Sequence, residues 1–459
     1  MTTCSQELAR WAHGLRYEDL PADVVEATRF RVLDVIGLAM AGAETPFGGA
    51  VRKAAAQMGS GPAHVFGTGE ALAPSAAGFA NGALAQALEY DDTHNESVVH
   101  MSSPSVAAAL ALAEAQGLSG REVILGVAIG NEIACRIGCV APGRFHKLGF
   151  HPTGLFSPFG IAFAAGRMLG LEAAQLAHAA GIVGSFAAGL LECWVDGTQS
   201  KFLHPGWAAH GGIVAAQLAA GGCTGPAAVF EGRFGLLASH LQDPAQPRDF
   251  TRITNGLGSL WETRNASFKP FPAAHVIHPY LDAILRLRRE HAIEPRQVVR
   301  IEAPVAAWYV PIVCEPRAEK LRPRSDSHGR VSMQYSLAEA LHHGRLGRDA
   351  YAPESLENPE ILRLAACVEL PVDPAWPGPE QFKGAVTLTL ADGTVLRTVE
   401  EHNRGSARNP MSPAELLAKF EDNATALLPA SQARAVAERV LALDTAQDVG
   451  ALVRATLRG

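Results

Sequence analysis

A chain of 459 residues with 48% hydrophobic and 19% charged residues has the composition of an ordinary globular protein, too long for one core, which excludes disordered and fibrous classes and predicts two domains. Its net charge of −7 is not that of a nucleic-acid binder, which carries a basic stripe. Apolar stretches such as Val106–Leu112 and Ala179–Leu191 break off before the roughly 18 apolar residues of a membrane span, and Met1–Glu7 shows no basic-then-apolar leader, so a cytoplasmic enzyme without a membrane partner is expected.

The first part of the chain reads as helix after helix. Apolar residues at i, i+3 and i+4 run through Pro21–Ala43, Ala73–Tyr90, Ser105–Gln116, Gly120–Ile137, Pro152–Leu169, Leu171–Leu191, Trp207–Ala220 and Pro226–Phe230. Start and stop signals recur, with Pro at Pro21 and Pro104 and Gly at Gly117 and Gly170. Abundant Ala and Gly let helix axes approach closely. Near Lys269 the pattern changes. Val298–Ala303 alternates like a strand, and Ala385–Leu390 with Val395–Val399 reads as a hairpin turning at Asp392-Gly393. Ser332–His343 and Pro359–Val368 look helical, Pro316–Arg330 reads as a loop, and Ala414–Phe420 and Ala430–Leu441 return to helix. The predicted fold is mainly α: a large all-helical domain built from both chain ends, residues 1–265 and 406–459, with an α+β lid domain inserted at 266–405.

Five segments gather residues able to do chemistry. Leu88–Thr93 with His94 and His100 packs three carboxylates and two imidazoles behind a helix end; it suits a metal, an oriented base or simple helix capping. His151 directly precedes a helix, whose N-terminus lowers an imidazole pKa and favours an anion, although an ordinary loop histidine fits the same position. Lys201 stands alone among Gly, Ser and aromatic residues, again before a helix. Lys269-Pro270-Phe271-Pro272, followed by His275, places a lysine on a stiff approach. Tyr335 lies on an amphipathic helix, as donor or as core residue. The seven cysteines are scattered and form no C-x-x-C pair. Cys135 and Cys139 share a helix face without further ligands nearby, which favours packing over metal and offers no iron–sulfur set. No complete dinucleotide or phosphate loop and no nucleophile elbow is present.

Read in order, these segments resemble the MmgE/PrpD family. Asn81-Gly82 with Leu88–Thr93 is similar to its N-G…D-[FY]-D-D-T segment, Gly149–Thr153 to its G-F-H-x-T block, and Lys201 through Ala209 to its K-x-x-H-x-G-x-A-A block. Lys269–Pro272 matches K-P-[FY]-P, and Arg404–Pro410 resembles the closing R-G-x-x-x-N-P. The family includes 2-methylcitrate dehydratases, cis-aconitate decarboxylases and an iminodisuccinate epimerase. The resemblance implies a helical domain with a smaller lid, a homodimer, and neither metal nor organic cofactor. Carried across residue by residue, it implies a pocket of Glu89, Thr93, His100, His151, Lys201, Lys269, His275 and Tyr335, with Asp91 beside them. His100, His151, Lys201 and Tyr335 are then expected to be catalytic, and Glu89, Asp91, Thr93, Lys269 and His275 to bind substrate. The chain departs from the decarboxylase pattern in having Glu89 for Asp, one extra residue before His100, Met101 for Pro, and His275 one residue out of step with Lys269.

The chemistry implied is proton transfer at a carbon beside a carboxylate of a small di- or tricarboxylic acid. Cations hold the carboxylates and the developing enolate-like charge, and histidine moves the proton. Dehydration of a 2-methylcitrate-like hydroxy acid is the leading expectation. Decarboxylation of a cis-aconitate-like acid or epimerisation on the same pocket is the alternative, and a non-catalytic polycarboxylate binder is the third reading.

Overall fold

The structure is a computed structural model and describes residues 2–378 and 381–458. Fourteen of its helices are used below, beginning with α1 (Cys4–Gly14), whose Thr3 and Gln6 form a reciprocal capping box. Then come α2 (Ala22–Ala43), α3 (Pro46–Ala55), α4 (Pro74–Gln86), α5 (Ser102–Gln116), α6 (Gly120–Gly138), α7 (Pro152–Met168), α8 (Ala173–Val183) and α9 (His204–Ala220). After them follow α10 (His278–Glu290), α11 (Met333–His343), α12 (Pro359–Ala366), α13 (Pro413–Ala424) and α14 (Ala430–Leu441).

Small residues set how closely these helices pack. α7 lies between α6 and α9, while α4 lies against α5 and α9. A Cβ on Gly160 of α7 would stand 2.1 Å from the Gly130 carbonyl of α6, so glycine is what permits that crossing. The helices α2, α5, α6 and α7 are buried along most of their length. Such all-round burial departs from the one-sided i, i+3, i+4 pattern read from the sequence, because these helices lie inside the bundle with neighbours on several sides.

Two hydrophobic clusters result. The first runs from Leu8 to Ala266 and resumes from Met411 to Val453; the second occupies Phe271 to Leu388. The second contains a sheet of β1 (Val298–Glu302), β2 (Val368–Glu369), β3 (Gly384–Leu390) and β4 (Val395–Glu400), in the order β2-β1-β3-β4. β1 is parallel to β2 and antiparallel to β3. The β3–β4 hairpin turns at Asp392-Gly393, with Leu388 opposite Leu396. α10 packs on both hairpin strands and against α11. The mainly α class with one small α+β segment is thus as read from the sequence.

Local readings diverge at six places. α1 and α3 were not anticipated, although Thr45 accepts from Gly48 N and Pro46 occupies the first turn of α3, a legible start signal. The helix expected to reach Tyr90 stops at Gln86, because Leu88 and Glu89 give their carbonyls to Arg330 and Lys269 instead. The helix expected to reach Leu191 ends at Val183. Pro226–Phe230 forms turns rather than a helix, and Pro316–Arg330 contains two short helices, Arg317–Leu321 and Asp326–Gly329. No helix among the described residues is long and apolar enough to cross a membrane.

Candidate active site

The loop that replaces the end of α4 carries the chemistry. Glu89 sits there with φ +52°, a left-handed conformation uncommon for a non-glycine residue and often found where function over-determines the backbone. Its Oε1 accepts from Lys201 Nζ at 2.5 Å and from Lys269 Nζ at 3.3 Å, and its carbonyl accepts from the same Lys269 Nζ at 2.9 Å. All three side chains are buried. Burial alone would raise the Glu89 carboxyl, but Lys201, Lys269 and His100 outweigh it and hold the group well below the usual carboxylate range. Burial also draws the Lys269 ammonium below its ordinary value, against the opposing pull of Glu89 and Asp91.

Lys269 reaches this point because the segment leading into it is clamped. Phe268 N donates to Gly405 O at 3.1 Å, and a Cβ on Gly405 (φ +92°) would lie 2.0 Å from Phe268 O. Only glycine fits, which explains this part of the closing motif. The adjacent Arg404 ties Asp282 on α10 to Glu415 on α13, at 3.0 and 2.7 Å.

Three histidines complete the cluster. His100 Nε2 lies 3.9 Å from Glu89 Oε1, and His100 Nδ1 lies 3.1 Å from Asp91 Oδ1 in ion-pair rather than hydrogen-bond geometry. Burial would raise Asp91, but His100 and Lys269 keep its carboxyl below the usual value, and its other oxygen accepts from Ser103 Oγ at 2.8 Å. Thr93 Oγ1 is 3.4 Å from His100 Nδ1. His275 Nε2 accepts from Asn403 Nδ2 at 2.9 Å, which leaves the proton of the neutral ring on an unpartnered Nδ1. Burial and neighbouring His278 hold His275 well below the ordinary histidine value. His151, whose ring centroid is 5.6 Å from that of His100, is likewise held low by burial and His204.

These groups face a cleft of about 690 Å³, within the range of small-molecule sites. Glu89, Thr93, His100, His151, Lys201, Lys269 and His275 all line it, from positions far apart in sequence. Asp91 stands behind His100 rather than at the surface. Tyr335, expected to be catalytic, is not brought there: α11 buries its ring in the second core, 6.1 Å from Tyr351, with its hydroxyl lacking a hydrogen-bond partner. Sequence reasoning missed Asn403, which fixes the His275 tautomer, Arg144 and Lys147, which add positive charge at the rim, and His146, whose imidazole burial lowers to about 4. It also missed the apolar wall of Trp194, Trp308 and Phe382. Asn403 directly precedes the Arg404 motif, and Arg144–Lys147 precedes the Gly149 block, so proximity to those motifs was the available signal.

Other features of the molecule carry less chemistry. A groove of about 960 Å³ holds Arg286 and Arg404, but these are paired with Glu400, Asp282 and Glu415. Among the described residues, His94, Cys139 and Glu262 have ligand atoms within 4.8 Å of one another. Arg252 already holds Glu262 at 3.1 Å and Ser97 N donates to His94 Nδ1 at 3.2 Å, and the trio does not line the cleft.

Comparison with known proteins covers most of the chain. Residues 6–248 match the MmgE/PrpD N-terminal domain and residues 271–445 the MmgE/PrpD C-terminal domain. A cis-aconitate decarboxylase of Aspergillus terreus (strain NIH 2624 / FGSC A1156) is 29% identical, over 97% of this chain and 94% of that protein. Cis-aconitate decarboxylases of Homo sapiens and Mus musculus are 26% and 24% identical, over 98% and 99% of this chain and 94% and 93% of theirs. The two matches flank the Lys269 junction and between them cover most of the chain, with the cleft residues Glu89, Thr93, His100, His151 and Lys201 in the first and His275 in the second, so the chain belongs to the MmgE/PrpD family.

Proposed function

We propose that this protein is a lyase that decarboxylates a small unsaturated tricarboxylate such as cis-aconitate, without a metal or organic cofactor. The observation that carries the reading is the single Glu89 oxygen shared by two buried lysines inside a cleft with four histidines. An enzyme site with that much buried cation is matched to a polyanion: each charge-assisted hydrogen bond contributes about 1.5–3 kcal/mol, and three or four such bonds orient one.

Decarboxylation breaks the bond between carbon and one carboxylate, releases carbon dioxide, and leaves the electron pair on the adjacent unsaturated system. Lys201 and Lys269 stabilise that charge where it spreads onto a retained carboxylate. The Trp308 and Phe382 wall gives the departing neutral molecule apolar surroundings. A histidine then protonates carbon. The relatives' activity supports this choice over the dehydration of a 2-methylcitrate-like acid that the sequence favoured first. Dehydration and epimerisation need the same cations, and the product separates them.

A lid role for the segment around the second core, and assembly as a homodimer, belong to the same reading; sedimentation at several concentrations decides the second. The activity test is a panel of di- and tricarboxylic acids followed for carbon dioxide, for ultraviolet absorbance of a new C=C bond, and for optical rotation. Carbon dioxide from cis-aconitate supports the proposal. A new C=C bond from a hydroxy acid without carbon dioxide supports dehydration instead. Binding without turnover on the full panel leaves a polycarboxylate binder.

A further inference from the structure

His151 and His204 meet head to head. His151 is the residue before α7, and His204 is the first residue of α9. Their Nδ1 atoms are 2.8 Å apart and their ring centroids 5.0 Å apart. Two Nδ1 atoms at that distance cannot both carry hydrogen, so one ring donates and the other accepts, and the two neutral rings hold opposite tautomers. The pair has two ends. His151 is 1% exposed and lines the cleft, and its Nε2 has no partner in the protein. His204 is partly exposed and does not line the cleft. Burial above all, and then nearby Lys201, favour neutral rings: His204 is lowered to about 4, and His151 falls well below its ordinary value.

The reaction proposed above, on which this inference rests, has a requirement that dehydration and epimerisation lack: it consumes one proton at carbon in each turnover. A lone neutral imidazole that gave up its Nε2 proton would become an anion. We propose that His204 is a positioning residue that makes His151 a usable acid, the two rings exchanging tautomers as the proton leaves for the substrate carbon. In balanced form, the His151 Nε2–H bond breaks as the new C–H bond forms. The His204 Nδ1 proton passes to His151 Nδ1, and His204 Nε2 takes a proton from solvent water, whose hydroxide is taken up in solution by the released carbon dioxide as bicarbonate. Both rings remain neutral, and the exchange reverses when the emptied cleft readmits water to His151 Nε2.

The test uses the full chain with His204→Gln and His204→Ala, assayed for carbon dioxide release from cis-aconitate. Gln donates a hydrogen bond to His151 Nδ1 but cannot deliver a proton through it. His204→Gln is expected to lower kcat by about tenfold to several hundredfold, the span of general acid catalysis, with KM and Tm held. In His204→Ala, added imidazole is expected to restore kcat in a saturable way. Wild-type kcat in His204→Gln, or a lost rate in His204→Ala that imidazole does not recover, overturns the relay. If the wild-type protein releases no carbon dioxide, the decarboxylase reading fails separately, and nitrogen-15 NMR of histidine-labelled protein judges the pair. Opposite neutral tautomers for His151 and His204 sustain it; the same tautomer for both overturns it.

Discussion

Glu89 is buried at a left-handed backbone position with two ammonium groups on one oxygen. Neutralising it strands both cations. Glu89→Gln is therefore expected to cost about 3–5 kcal/mol of stability, the usual penalty for breaking a buried ion pair from one side, read as a fall in the urea midpoint. The pH dependence has a definite sign. The folded carboxyl is held below its unfolded value of about 4.3, so its stabilising contribution is present above that pH and drains away as pH falls through the folded value. Glu89→Gln should accordingly flatten the acid limb of the stability curve. Lys201→Ala leaves Lys269 on Glu89 but removes one substrate cation, and kcat/KM should fall by about tenfold to several hundredfold; an unchanged value would separate Lys201 from the chemistry. The sequence marked seven of the residues that line the cleft because polar and basic side chains there stand out against Ala and Gly. It did not show the left-handed φ at Glu89 or at Val98 (+57°), since tertiary contacts impose both. It also misplaced Tyr335, whose helix face looked the same whether it met a ligand or a core.

At the scale of elements, the loops are held by buried polar clamps. Asp92 accepts from Ser102 N at 3.1 Å and Ser102 Oγ at 2.5 Å at the start of α5, and it is also paired with buried Arg31. Asp92→Ala should destabilise the fold by about 3 kcal/mol or more, through the stranded Arg31 and the lost helix cap, measured by urea unfolding. Lys320 is a second clamp. Its Nζ donates to Ile312 O at 2.9 Å and to Val331 O at 2.8 Å, and both residues line the cleft. Burial lowers this lysine to about 8. Its folded value is below the unfolded value of about 10.4, so the folded state binds fewer protons between these limits and stability rises with pH there. The wild-type protein minus Lys320→Met should show that alkaline rise, and the variant should bind substrate more weakly through a loosened wall. Element types and the hairpin were legible because the apolar period changes from helical to alternating. Ends were less so: whether α4 continued past Gln86 depended on Arg330 and Lys269, more than 180 residues away in the chain.

For the whole molecule, the change in patterning near Lys269 coincides with the passage from one hydrophobic cluster to the other, and the chain ends return to the first. The site forms where these clusters meet: Glu89, His100, His151 and Lys201 come from one side, and Lys269 and His275 from beyond the junction. Arg404 fastens the same seam. Sequence order displayed the motifs, but their convergence on one cleft was legible only through family resemblance, because no local pattern encodes contacts across such separations. The most direct measurement is turnover of cis-aconitate in deuterated water by the full-length protein beside Lys201→Ala. Decarboxylation assisted by Lys201 requires carbon dioxide in step with substrate loss, one deuterium newly bound to a product carbon, and a rate at least about tenfold lower in the variant. No carbon dioxide, or equal rates in both proteins, would contradict it.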